Sequence, residues 1–418
     1  MSGIKSPGVV IIPGFFFLCC DTLYLLPLTT KRIMKDFLFN ASRILSRTRY
    51  PWVDYARGIT IILVVYRHVF EGLGEEVAEA YPALEYFNTF FFSFRMPLFF
   101  MISGLFFQQT IARNGLPLFI KKRFSTIFYP LLIWGAIQVT LQLLLKNAGV
   151  NANREPIDYL NLLINPREIE QFWYLNALFF VGVLYALLQH YLKFTVRTQL
   201  VFGTLLFGIC ALVTTTQLSS PDRMYPWNIM NFSFIFDVAF FYIFFAIGNA
   251  ISKYVLHPNN YKYLTSFKAL LLVLPVFLIV QYFFTEINLG KFPSITAEKN
   301  DYFVQYHMPW LYLIAAIAGG SFIVLISFLL EKAAILKFLR VIGYHSLYIY
   351  AAHLLVTSGT RIVFTKILGV SYAPAIMIAG LILGIAVPMI LYNLAVRLNA
   401  WWLFASMPTP DVKQKDAR

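Results

Sequence analysis

The chain has 418 residues, of which 59% are hydrophobic, 18% aromatic and only 13% charged, and its mean hydropathy is +0.67. That value lies far above an ordinary soluble domain, and the apolar residues run on in stretches long enough to cross a hydrocarbon core as helices; a soluble fold and a barrel of short alternating strands are both excluded. The net charge of +14 does not point to nucleic acid, because the basic residues are segregated along the chain in the manner of an integral membrane protein.

The first fifty residues contain "VVIIPGFFFLCCDTLYLLPL", which Pro13 and Asp21 interrupt and no small-residue cleavage site follows. Residues 1–50 therefore read as a cytoplasmic extension that either carries an extra hydrophobic segment or precedes a true start at Met34. About ten spans follow, each of the roughly 20 apolar residues a helix needs to cross the bilayer. They fall near residues 55–74, 86–108, 124–145, 171–191, 199–218, 232–252, 267–285, 309–330, 341–362 and 373–396. The fold class expected is all-α and polytopic, with one transmembrane domain over 51–403 and a polar, disordered cytoplasmic tail over 404–418. The connections at about 146–170 and 286–308 are too short for a separate soluble domain, and no fixed-period repeat divides the chain. Cys19, Cys20 and Cys210 show neither a disulfide framework nor metal-ligand spacing, so no metal is expected.

Alternate connections differ in charge. Lys31 to Arg49, then Arg113 with Lys121, Lys122 and Arg123, then Lys193, Lys253, Lys332 and Arg397 all fall on one side. The opposite connection "EGLGEEVAEAYPALEYF" carries Glu71, Glu75, Glu76, Glu79 and Glu85 with no Lys or Arg. The bias predicts that both termini face the cytoplasm.

The first span, "VDYARGITIILVVYRHVFEGLG", keeps ionisable groups where each costs on the order of 2.5–3.5 kcal/mol at the bilayer centre. Arg57, Ile61, Val64, His68 and Glu71 follow one helical stripe. At 1.5 Å rise per residue, Arg57 and His68 are separated by roughly 16 Å along the axis. A cation at the inner boundary and an imidazole deeper in suit a coenzyme A thioester with phosphates outward and acyl group inward. The plainer alternative makes Arg57 a snorkelling boundary residue, pairs Arg67 with Glu71 at i, i+4, and leaves His68 as a hydrogen bond to a neighbouring helix.

Other spans add polar residues at similar depth. "FFFSFRMPLFFMISGLFF" has Arg95, whose plain reading is a counter-ion for Glu71 or Asp237, and Ser103–Gly104, whose plain reading is close helix packing. "FWYLNALFF" opens with Trp173 and Tyr174, which suit an interfacial aromatic belt, and then places Asn176 within the span. Asp237 in "FIFDVAFFY" and His353 in "YHSLYIYAAHLL" also lie within spans. Convergence of His68, Arg95, Asn176, Asp237 and His353 would build a polar cavity.

The order Arg57, ten residues, His68, then "MPLFFMISGLFF", "FWYLNALFF" and "IGYHSLYIYAAH" resembles the acyltransferase-3 family of polytopic membrane O-acyltransferases, over about Trp52 to Arg397. The resemblance implies transfer of an acyl group, usually acetyl, from cytoplasmic acyl-CoA to a hydroxyl of a cell-envelope or exported carbohydrate, in the bacterial cytoplasmic membrane. It implies Arg57 and His68 as the essential pair, and Ser103, Gly104, Trp173 and His353 as motif positions. Two positions depart from the family. Of the Arg-x-x-Arg pair that many relatives carry after the second span, this chain keeps Arg123 but has Thr126, with Lys121 and Lys122 as further phosphate contacts; and Arg95 stands where relatives often have histidine.

On this reading His68 is the general base, Glu71 orients it, and nearby Arg or Asn groups stabilise the oxyanion, with an acyl-histidine intermediate as the variant. The partners are acetyl-CoA or another acyl-CoA as donor, a carbohydrate acceptor and membrane lipid, with no permanently bound cofactor and no nucleic acid. The rival readings are a transporter or flippase using the same cavity, against which no matched pair of broken helices is found, and a non-catalytic partner in polysaccharide assembly.

Overall fold

The computed structural model describes residues 36–145, 154–216, 233–292 and 301–408, and among these it contains helices and no strands. The hydrophobic segment at residues 9–28 and the alternative start at Met34 lie outside the described residues. Eleven longer helices carry the architecture: α1 (Pro51–Gly72), α2 (Phe92–Leu105), α3 (Phe107–Arg123), α4 (Tyr129–Leu144), α5 (Phe172–Tyr191), α6 (Val196–Thr216), α7 (Ser233–Val255), α8 (Phe267–Asn288), α9 (Pro309–Ala333), α10 (Ser346–Ile362) and α11 (Ala373–Arg397).

Eight helical segments among the described residues are long and apolar enough to cross a membrane, the run from Phe107 through Leu144 counting as one. This is a polytopic all-α membrane protein. The first two expected spans differ from the rest for physical reasons. α1 has the length of a span, 22 residues, but carries Asp54, Arg57, Arg67 and Glu71. α2 has only 14 residues, and the chain before it turns at Phe91 from a separate helix, Pro82–Phe90. α2 is nonetheless buried at every position except Met96 and Ser103, so protein rather than lipid surrounds it and it need not match bilayer thickness.

Small residues set how closely these inner helices approach. A Cβ on Gly104 of α2 would collide with the Phe245 carbonyl of α7, and one on Gly248 of α7 with the Met101 carbonyl of α2. The same device seats α1: side chains on Gly58 or Gly343 would strike the backbone of Leu339 and Asp54 respectively, which brings the short helix Phe338–Tyr344 against α1. Close backbone approach through small residues is the usual way membrane helices pack, since lipid offers no hydrophobic contrast to drive them together. The periphery is apolar, as at Leu205 and Leu212 of α6 and Leu272 and Ile279 of α8, all exposed.

Residues 404–407, expected as the start of a polar tail, pack against the bundle. Phe404 is buried, with ring centroids 5.2 Å from Trp134 and 5.3 Å from Tyr392, and the Met407 amide donates to Ser125 Oγ at 2.8 Å. An aromatic residue with three rings available behind α4 and α11 docks the chain that composition alone marks as polar tail.

Candidate active site

The last two turns of α1 open onto an internal cavity of about 740 Å³. α1 supplies Val64, Arg67, His68 and Glu71; α2 supplies Arg95, α5 Trp173, α7 Phe241, and α10 Tyr350 and Leu354. Pro51 at the first position of α1 sets its start, and Arg361 closes its other end by donating to the Gly72 carbonyl.

His68 and Glu71 share the cavity wall. His68 Nδ1 lies 3.6 Å from Glu71 Oε2, and the imidazole side chain is 19% exposed on the cavity wall. Arg67 lines the same cavity although it lies off the Arg57–His68–Glu71 stripe. It pairs with Glu71 at i, i+4, donates to the Tyr302 hydroxyl at 2.9 Å, and lies 3.9 Å from Asp301 Oδ2. One of its nitrogens, Nη1, is buried with no hydrogen-bond partner among the described residues.

The remaining polar residues named above divide into three groups. Arg95 reaches the cavity, held by Asn88, whose side-chain oxygen accepts from Nη1 at 3.0 Å and whose carbonyl accepts from Nη2. It is not the counter-ion of Glu71 or Asp237: Arg67 takes the first, and Arg167 takes the second in a bidentate pair at 2.5 to 3.0 Å. Trp173 also lines the cavity, with the Arg167 guanidinium 4.3 Å from its ring centroid.

Asn176 and Asp237 do not line it. The Asn176 amide donates to the Leu163 carbonyl at 3.2 Å and ties α5 to the helix Asp158–Ile164, while Asp237 is fully buried behind Arg167. Arg167, in the connection before α5, is thus a cavity residue that hydropathy conceals. The signal was its place within a long polar connection rich in charge.

His353 lies just behind the wall. It is fully buried, its ring centroid is 5.1 Å from that of His68, and its Nδ1 faces the carbonyls of Ile349 and Tyr350 at 3.1 and 2.9 Å. Two acceptors there require Nδ1 to carry the proton, which leaves Nε2 with a lone pair and no partner among the described residues.

Arg57 and Arg123 sit elsewhere. Arg57 is half-buried and makes no hydrogen bond or close ion pair with a described residue, although Asp54 lies within its electrostatic reach. Arg123 turns inward, donating to Ser103 Oγ at 3.2 Å and the Leu178 carbonyl at 2.5 Å, and a side chain on Gly182 would occupy its place. Ser103 is therefore an anchor for Arg123, and a π-helical turn, Phe124–Phe128, follows directly. Both arginines act electrostatically on Tyr174, which is buried rather than part of a surface belt. Tyr174 packs edge-on at 4.9 Å against Tyr350 of the cavity wall. Lys121 and Lys122 are exposed, Lys122 donating to Asn114 at 2.7 Å, and do not join this inner cluster.

A helical bundle with a charged, histidine-bearing cavity at one end of α1, Arg57 near the other end and Arg123 turned inward defines a polytopic membrane protein built around a polar site. Residues 50–393 match the family described as "Acyltransferase domain", so the chain belongs to the acyltransferase-3 family. It is also similar to the nodulation protein NolL of Mesorhizobium japonicum, 28% identical over 143 residues, which is 34% of this chain and 37% of that relative's length. No solved structure matches.

Proposed function

We propose that the protein transfers an acyl group, acetyl in the simplest case, from cytoplasmic acyl-CoA to a hydroxyl of a cell-envelope or exported carbohydrate. The observation that carries this reading is the His68–Glu71 contact at 3.6 Å on the wall of a cavity large enough for a sugar. With Nδ1–H directed at the carboxylate, His68 Nε2 is the basic nitrogen, as in other pairs where an acidic partner fixes the tautomer.

His68 Nε2 takes the proton of the acceptor hydroxyl as that oxygen attacks the thioester carbonyl carbon. The tetrahedral oxyanion is stabilised by the Arg67 guanidinium, the cation next to His68 on the cavity wall. Collapse breaks the carbon–sulfur bond, and the coenzyme A thiolate leaves with the proton from His68. Arg57 and Arg123, beyond Tyr174, hold the coenzyme's phosphates, with the pantetheine arm spanning the roughly 16 Å of helix between Arg57 and His68. The cavity lining does not extend to these arginines, so passage of the arm requires Tyr174 and Tyr350 to separate.

Purified protein incubated with acetyl-CoA and envelope glycans should release coenzyme A thiol and acetylate the glycan, read by thiol titration and mass spectrometry. A flippase or scaffold would consume no thioester, and unchanged acetyl-CoA would sink the reading.

A further inference from the structure

Among the described residues, Arg95 is a buried cation with no anion. Its side chain is among the largest fully enclosed in the protein, with the residue 2% exposed, yet it lines the same cavity as His68. Among the described residues its hydrogen bonds are the two to Asn88, a neutral residue, and its Nε has no partner. No described carboxylate forms an ion pair with it. The acids nearby are engaged elsewhere: Glu71 with Arg67, Asp237 with Arg167, Glu170 with Arg154, Glu168 with the Asn165 amide, and Asp301 with Arg67, Thr89 and the far side of the Asn88 amide. Asn88 thus stands between Arg95 and Asp301.

An unpaired guanidinium taken out of water carries a desolvation penalty of several kcal/mol, and buried charges are ordinarily paired or bound to a ligand. An amide replaces only part of that lost hydration. The cavity in front of Arg95 is where the missing anion can come from. The thioester carbonyl cannot serve, since it is neutral until the reaction occurs, and the coenzyme's phosphates belong with Arg57 and Arg123 at the other end of α1. The acceptor is what remains, and the cavity wall suits a sugar: Trp173, Phe92 and Tyr312 contribute aromatic rings, and Gln305 a polar amide.

We propose that the acceptor is an anionic carbohydrate, bearing a carboxylate or phosphate that pairs with Arg95 and thereby presents a neighbouring hydroxyl to His68. This rests on the acyl-transfer reading given above. Arg95 binds substrate in this scheme, and its planar fork matches either anion with two parallel hydrogen bonds.

The test uses the full chain in detergent without acyl-CoA, so that it does not depend on turnover. Thermal unfolding is followed in sodium glucuronate, sodium phosphate and sodium chloride at matched ionic strength. Glucuronate or phosphate should raise the wild-type midpoint, in a saturable manner, beyond chloride, because a ligand that binds only the folded state stabilises it by mass action. In Arg95→Gln the dissociation constant read from that shift should rise at least tenfold, and Arg95→Lys, which keeps a charge but not the fork, should fall between. Arg95→Met, similar in volume without the charge, should unfold no lower than the wild type in chloride. A larger response to glucuronate than to phosphate names a uronate-type acceptor, and the reverse names a phosphorylated one. Equal shifts in wild type and Arg95→Gln, or a marked loss of stability in Arg95→Met, would overturn the proposal. Should Arg95→Gln fail to fold, a wild-type shift that Arg95→Lys leaves unaltered overturns it equally. A protein that shows the anion shift but cleaves no acetyl-CoA would instead refute the acyl-transfer reading and, with it, the assignment of the anion to an acyl acceptor.

Discussion

The imidazoles of His68 and His353 lie 5.1 Å apart, on helices separated by most of the chain, and only His68 opens onto the cavity. That asymmetry divides their roles. His353, with Nδ1 held by two carbonyls, is fixed in orientation, whereas His68 can meet a substrate. A positioned base contributes about 10²- to 10⁴-fold, so His68→Ala should lose nearly all acyl transfer per folded molecule while eluting normally from a sizing column. Substantial retained transfer would move the role to His353.

Glu71 tests the same unit more gently. Glu71→Gln keeps a hydrogen-bond acceptor for His68 Nδ1–H but removes the charge that stabilises the imidazolium formed during transfer, and it leaves Arg67 with Asp301 as its remaining carboxylate contact. The turnover number should fall while the Michaelis constant for acyl-CoA changes little, a split that steady-state kinetics in nanodiscs will read.

The donor end makes a separate prediction. Each charge-assisted contact to a phosphate contributes about 1.5–3 kcal/mol, or roughly 10- to 150-fold in affinity. Arg57→Ala and Arg123→Gln should each weaken acyl-CoA binding in calorimetry by an amount in that range, with Arg57→Ala the cleaner of the two because Arg57 makes no hydrogen bond to a described residue, whereas Arg123 bonds to Ser103 and Leu178. Unchanged affinity in both would place the coenzyme elsewhere.

Arg167 and Asp237 form a buried pair 70 residues apart, with side chains 8% and 0% exposed. Removing one partner of such a pair strands the other and costs about 3–5 kcal/mol. Asp237→Asn should therefore lower the unfolding midpoint sharply, and Arg167→Met combined with Asp237→Leu should recover much of the loss. A double variant no better than the sum of the singles would show that the pair is not coupled.

Orientation follows from the charge of alternate connections. A reporter active only in the periplasm should work when fused within 75–85 and fail when fused next to Lys121. The reverse pattern would invert the assignment of donor and acceptor sides.

What the sequence determined by itself is what local chemistry and periodicity control. Apolar runs of sufficient length mark the helices in order, because in lipid the backbone must satisfy itself within each segment. A 3.6-residue repeat puts His68 and Glu71 on one face, and the two residues meet on the cavity wall. Tertiary packing decided the rest. Asn176 and Asp237 lie at plausible depth, yet depth says nothing of direction, and both turn toward other protein partners, Leu163 and Arg167. Arg67 enters the cavity off the expected stripe because the cavity spans the arc between two adjacent residues, and Arg167 enters it from a connection that hydropathy sets aside as outside the membrane. Above all, the isolation of Arg95 is a matter of who pairs with whom among three arginines and three acids from distant segments. One-dimensional order cannot state that choice, since each pairing depends on where the helices of the finished bundle leave the other charges.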